Sequence, residues 1–221
     1  MKKLTDGENR LNDHYGRMHS QEWDRKNFND YERLENFIQK RNIKKVAELG
    51  CGTGWWYQNY GSSMDIDYTG LDISQTAITI CKKKFPLADF RNWVMYDDIT
   101  EEKNYLSKNS QDISDLNCDL LFSRHCFIHN ADLRKFLQQC LPISSTIIHM
   151  GNYSITAQQE TKYKSEGASL SGIGGNYQGL PNPIHILVDN KYSKSDMLKC
   201  AQFDGWSCVV ENNWIIMEKI K

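Results

Sequence analysis

The chain has 221 residues, of which 39% are hydrophobic and 25% charged, and its formal net charge is −1. This is the make-up of an ordinary globular protein of one domain, or one domain with appendages, long enough to bury a substantial core. The near-neutral charge gives no reason to expect a nucleic-acid or membrane-surface partner.

Residues 1–45 carry eleven basic against eight acidic side chains, a slight asymmetry that reads as ordinary surface. The seven cysteines are odd in number and form no C-x-x-C pair, so neither a disulfide framework nor a zinc site is suggested. The start, Met1 to Gly7, lacks the apolar core of a signal peptide, and no run reaches the length of a membrane helix. A cytoplasmic location is expected.

Residues 1–28 are polar, with Tyr15, Trp23 and Phe28 interspersed. Asn29 and Glu32 then form a capping box, and Tyr31, Leu34, Phe37 and Ile38 repeat at helical spacing through Lys40. Asn42 ends that helix and Ile43–Leu49 is the first strand. Glu48-Leu49-Gly50-Cys51-Gly52-Thr53-Gly54 follows, leading into an aromatic-rich helix from Trp55 to Tyr60 that Gly61 closes. Alternate glycines let the backbone turn sharply and let a ligand approach where a Cβ would collide. The spacing is G-x-G-x-G, not the dinucleotide G-x-G-x-x-G, and no G-K-[ST] follows, so a P-loop is excluded. The alternative is a glycine-rich turn with no ligand.

Asp67–Asp72 is the second strand. Ser74 caps a helix whose Ala77, Ile78, Cys81 and Phe85 make one face, and Pro86 stops it. Phe90–Tyr96 is the third strand, with Asp97 and Asp98 at its end. Residues 101–117 are polar, with room for a short helix. Cys118–Ser123 is the fourth strand, Asn130 caps a helix carrying Leu133, Phe136, Leu137 and Leu141, and Ile143–Met150 is the fifth strand. The Gly/Ser/Asn/Gln-rich stretch 151–183 is long enough to suggest a functional or mobile segment. A last helix starts at Ser193 or Ser195 and runs through Phe203. Trp206–Glu211 and Trp214–Lys219 then read as a hairpin.

Strands alternating with helices at this rhythm predict an α/β, doubly wound, Rossmann-like sheet with helices on both faces. Residues 1–42 would be a helical N-terminal extension or lid. Residues 43–221 would be the ligand-binding domain, with 151–185 as a substrate-side insertion. In such sheets ligands sit outside the carboxyl ends of the strands. Glu48, Asp72 and Asp97 or Asp98 all fall there. A carboxylate after the second strand is placed for ribose hydroxyls, and one after the third for an adenine amine. Glu48 favours an amine-bearing ligand part over a pyrophosphate. An amine, a ribose and an adenine on one ligand describe S-adenosylmethionine better than NAD.

Together with Gly70-Leu71-Asp72-Ile73-Ser74, Tyr96-Asp97-Asp98 and Cys118-Asp119-Leu120-Leu121-Phe122-Ser123-Arg124-His125, the glycine motif resembles the class I S-adenosylmethionine-dependent methyltransferases. The resemblance covers roughly residues 43–150 and, in pattern, the final hairpin. It implies a seven-stranded, mostly parallel sheet whose last strand is antiparallel. It further implies that Gly50, Gly52 and Gly54 line the methionine part of the cofactor and that Asp72 holds the ribose. Asp97 would hold the adenine amine, with Asp98 sharing or taking over that role. Ser123 would lend backbone near the methyl group, and Cys51 and Ile73 count among the cofactor-binding residues.

His125 and His129 follow the fourth strand, where the family places residues facing the substrate. A histidine there can take a proton from an oxygen or nitrogen nucleophile; the alternative is that each packs or caps the following turn. Pro183-Ile184-His185 is more similar to methyltransferases of small molecules such as sugars, which makes His185 a second base candidate. No metal site is expected, because His125, Cys126 and His129 lack a partner at ligand spacing. Tyr15 and Trp23 could cover a sulfonium with aromatic faces, or simply staple the extension to the core.

The resulting expectation is an enzyme moving a methyl group from S-adenosylmethionine to an O or N atom of a small polar molecule. The alternatives are an RNA or protein methyltransferase, or a protein that binds the nucleoside without methylating. Oligomeric state is left open.

Overall fold

A computed structural model describes residues 28–72, 74–93, 111–124, 133–150, 198–199, 201–211 and 214–220. The strands are β1 (Lys45–Leu49), β2 (Asp67–Asp72), β3 (Asp89–Asn92), β4 (Cys118–Arg124), β5 (Ser144–Met150), β6 (Trp206–Glu211) and β7 (Trp214–Lys219). The helices are α1 (Phe28–Lys40), α2 (Trp55–Asn59), α3 (Gln75–Lys84) and α4 (Leu133–Cys140), with a 3-10 turn at Gly61–Ser63.

All seven strands form one sheet in the order β3-β2-β1-β4-β5-β7-β6. β1 pairs in parallel with β2 and β4, β2 with β3, and β4 with β5. β7 runs antiparallel to both β5 and β6. The expected mixed sheet with one reversed strand is therefore the observed one. The order reverses between β1 and β4, so their carboxyl ends border the crevice where such sheets bind ligands.

The central strands are buried on both faces, as parallel strands covered by helices must be. On one face Val46, Tyr68, Leu120, Phe122 and Ile148 pack against α1 through Tyr31, Leu34 and Ile38, against Trp56 of α2, and against Ile78 and Cys81 of α3. On the other, Ala47, Leu49, Leu71, Leu121, Ile147 and Ile215 pack against Leu137 and Cys140 of α4 and against Ala201.

Helix α1 already includes Phe28, so the predicted cap Asn29 lies inside its first turn. Its other end follows the chemistry of Asn42, which takes a left-handed φ of 50°. Asn42 N–H donates to Gln39 O at 3.1 Å and Ile43 N–H to Ile38 O at 3.0 Å, the paired bonds of a Schellman stop. Arg33 pairs with Glu211 at 3.0 Å, Arg41 with Glu218, and Trp214 Nε1–H donates to Asp30 Oδ1 at 3.3 Å. Exposed ion pairs of this kind contribute little. Burial of Tyr31, Leu34 and Ile38, at about 1.5–3 kcal/mol for each large apolar side chain, dominates the docking of α1.

β1 starts at Lys45, two residues later than its apolar run suggests. Ile43 is spent on the α1 stop, and the Lys44 and Lys45 N–H groups both donate to Asp119 Oδ2, at 3.0 and 2.9 Å. β3 is described only to Asn92, and the predicted continuation to Tyr96 lies outside the described residues. So do the Asn130 cap, the segment 151–185 and most of the predicted last helix, of which Leu198 and Lys199 are helical. Among the described residues no helix is long and apolar enough to cross a membrane.

Candidate functional site

The turn from β1 into α2 is built by three glycines with positive φ: Gly50 at 74°, Gly52 at 54° and Gly54 at 77°. Side chains are strained in that region of backbone space. At Gly54 packing adds a second requirement, because a Cβ would stand 2.8 Å from Cε2 of Phe85. The start of the loop is hung from β2: Gly50 N–H and Cys51 N–H both donate to Leu71 O, at 2.7 and 3.1 Å.

Asp72, buried at the end of β2, holds the middle of the loop. Its Oδ2 accepts Gly52 N–H at 2.9 Å and its Oδ1 accepts Ser74 N–H at 2.7 Å. Ser74 Oγ in turn accepts Ala77 N–H at 3.1 Å and caps α3. One carboxylate thus joins the glycine loop to a helix start. Each of its oxygens carries two lone pairs, so the group can still accept ribose hydroxyls.

The Gly52 carbonyl is held from the opposite side. Cys81 Sγ donates to it at 3.3 Å, and Cys51 Sγ lies 3.7 Å away. The Cys51 side chain therefore points into the core beneath the loop. Burial pushes its thiol well above the usual range, helped by the Cys81 hydrogen bond and by the charges of Asp72 and Glu48. It stays protonated and is no nucleophile.

Glu48, 5% exposed, accepts the Tyr68 hydroxyl at Oε2 over 2.6 Å. Burial, and then the Glu48 charge, hold the Tyr68 phenol well above its ordinary value. Tyr68 stacks on Tyr57 at 4.6 Å and meets Phe90 edge-on at 5.7 Å. Opposite Glu48 in the register stands Gly70, where a Cβ would meet Phe90 at 2.6 Å. The aromatic packing that backs Glu48 depends on that absent side chain.

At the end of β4, Arg124 Nη1–H donates to Tyr31 OH at 3.2 Å, and its guanidinium lies 5.0 Å from the Tyr31 ring centre. Tyr31 packs with Trp55 at 5.4 Å and Tyr60 at 5.7 Å. These rings form the described aromatic wall beside the loop; Tyr15 and Trp23 lie outside the described residues. Sequence reasoning also passed over His149. Its Nδ1 lies 2.7 Å from Ser123 Oγ, and the two residues are register partners at the ends of β5 and β4. The available signal was a polar residue one position before the end of an apolar strand.

The described structure brings Glu48, Gly50, Cys51, Gly52, Gly54, Asp72 and Ser123 together at the carboxyl ends of β1, β2 and β4. Ile73, Asp97, Asp98, His125, His129 and His185 lie outside the described residues. Among the described residues no group of three or more His, Cys, Asp or Glu could hold a metal ion. The bare glycine backbone between two buried carboxylates fits an uncharged nucleoside and a cationic group. It does not fit a pyrophosphate, which both acids would repel.

Residues 47–143 match the family described as "Methyltransferase domain". No curated protein matches the chain. Among solved structures, the chain is similar to DhpI in complex with SAH, at 15% identity and a TM-score of 0.56, over 98% of this chain and 99% of that one. It is similar to the magnesium protoporphyrin IX methyltransferase ChlM of Synechocystis PCC 6803 with bound SAH, at 11% identity and a TM-score of 0.55, over 100% and 90%. It also matches the [4+2]-cyclase SpnF at 13% identity and a TM-score of 0.50, over 80% and 57%.

Proposed function

We propose that the chain is a class I S-adenosylmethionine-dependent methyltransferase, a reading supported by the match of residues 47–143 to a methyltransferase domain and by the fold it shares with such enzymes, and that it methylates an O or N atom of a small polar molecule, with sugars and sugar derivatives as the first class to try. The observation that supports the cofactor half of this reading is the backbone of Gly52, fixed by Asp72 on its N–H and by Cys81 on its carbonyl, in a loop flanked by the buried acids Glu48 and Asp72. Glu48 is assigned to the amino group of the cofactor, Asp72 to its ribose, Asp97 or Asp98 to its adenine amine, and Gly50, Gly52 and Gly54 to the bare wall beside its methionine chain. Cys51, Ile73 and Ser123 complete the set.

S-adenosylmethionine supplies an activated methyl group together with its own leaving group. The protein's part is to align a nucleophile with that carbon and exclude water. Where the nucleophile is a hydroxyl, His125 is assigned as the base that takes its proton, ahead of His185 and His129. Residues 151–185 and the N-terminal segment are assigned to acceptor specificity.

Incubating the protein with S-adenosylmethionine and a metabolite set should yield S-adenosylhomocysteine with at least one acceptor. Cofactor binding without product across a broad set would favour a second reading, a nucleoside-binding protein with other chemistry. SpnF, named a cyclase, lends that reading support on the same fold.

A further inference from the structure

The carboxyl edge of the sheet holds a polar pair, the Ser123 hydroxyl and His149; the assignment above counts Ser123 in the cofactor set but gives neither its side chain nor His149 a task. Ser123 and His149 face each other across β4 and β5, 1% and 0% exposed, with Oγ and Nδ1 2.7 Å apart. Their surroundings on that face are apolar. Leu49 is the register partner of Ser123 and Ile215 that of His149, while Leu121 and Ile147 lie two residues back on the same strands. A hydroxyl and an imidazole buried there each carry a desolvation penalty unless they satisfy one another, and two aliphatic side chains would fill the space without it. Ser123 also lies beside Leu49, the residue immediately before Gly50 of the loop.

When Nδ1 accepts, the hydroxyl has committed its only hydrogen to the imidazole. The Ser123 oxygen can then only accept. An oxygen held this way attracts a positively charged group and offers nothing to a neutral group that has no hydrogen to donate. The cofactor and its product differ in that respect: one is a methylsulfonium cation, the other a neutral thioether. We infer that His149 is a positioning residue that holds Ser123 as an obligate acceptor at the end of β4 and thereby biases the site toward the methylsulfonium over the thioether product. The inference rests on S-adenosylmethionine being the cofactor of this loop. It assigns the pair a part in releasing product, not in binding the nucleoside common to both ligands.

Calorimetry with S-adenosylmethionine and S-adenosylhomocysteine tests it without an acceptor. Ser123→Ala and His149→Leu should weaken S-adenosylmethionine about three- to tenfold, the range one hydrogen bond supplies, while S-adenosylhomocysteine stays within about twofold. Ser123→Thr and His149→Asn, which keep a hydroxyl and an acceptor, should restore most of the preference. Equal weakening of both ligands, or no change in either, would overturn the inference and leave the cofactor assignment standing. If the unaltered protein binds neither ligand, the cofactor assignment itself fails and the inference falls with it. Should His149→Leu not fold, the Ser123→Ala and Ser123→Thr pair decides alone.

Discussion

Asp72 Oδ2 accepts the backbone N–H of Gly52 at 2.9 Å, across twenty residues of chain. The side chain expected to meet the ligand's sugar is thus already part of the scaffold that shapes the ligand's loop. Removing it has two consequences that must be measured apart.

Asp72→Ala should lower stability by about 1–3 kcal/mol, because Gly52 and Ser74 lose their acceptor, and should weaken S-adenosylmethionine at least about tenfold. A thermal melt reads the first effect and calorimetry the second. To isolate the ribose contact, an S-adenosylhomocysteine analogue lacking one ribose hydroxyl should lose affinity for the unaltered protein but not for the variant. Unchanged cofactor affinity in Asp72→Ala would sink the ribose assignment.

Gly54→Ala combines a left-handed backbone with a Cβ 2.8 Å from the Phe85 ring. A destabilisation of about 1–3 kcal/mol is expected from the backbone alone, with the clash added. Pairing it with Phe85→Leu should recover the clash and not the backbone part, so a urea series of the double variant should remain below the unaltered protein.

Alkali should unfold the protein cooperatively. Burial raises the folded-state pKa of Tyr68 and Cys51, and pushes Cys118 up to about 11 from 9.0. For groups raised on folding, the stabilisation is complete below the unfolded-state value and is lost as pH climbs through the folded-state value. Urea midpoints should therefore hold up to about pH 9 and fall steadily toward pH 11. Tyr68→Phe should flatten the upper part of that fall. A midpoint independent of pH over this range would contradict the buried thiol and phenol.

Leu34→Ala should cost about 2–5 kcal/mol, since Leu34 is fully buried between α1 and the sheet. Circular dichroism and tryptophan fluorescence should report one shared transition. An earlier, separate loss of helix signal would mean that α1 folds apart from the sheet.

Much of this was legible in local chemistry. Asp67–Asp72, the Ser74 cap and the closing hairpin have the same bounds in sequence and structure, because their signals are an alternating or apolar run flanked by polar stops. What stayed hidden depended on distant partners. The start of β1 is moved by the Asp119 side chain, 75 and 74 residues from the Lys44 and Lys45 amides it binds. The pairing of His149 with Ser123 exists only once β4 and β5 are in register. The inward turn of Cys51 follows from Gly70 and Cys81, whose proximity no spacing rule encodes. At the site the motif indicated which residues gather, but not that Asp72 and the Cys81 thiol would be occupied in holding the backbone of one residue, Gly52.

The reversal of β7 has a practical side. Its first residue, Trp214, lies beside Met150 at the ligand edge, and its last turn of chain returns to the start of β5, where Glu218 faces Thr146. Ile220 N–H is then tied to Gly205 O at 2.7 Å. Ile220 therefore stands at the end of the strands opposite the glycine loop, and a probe bonded to the side chain at that position would read the sheet from its far side.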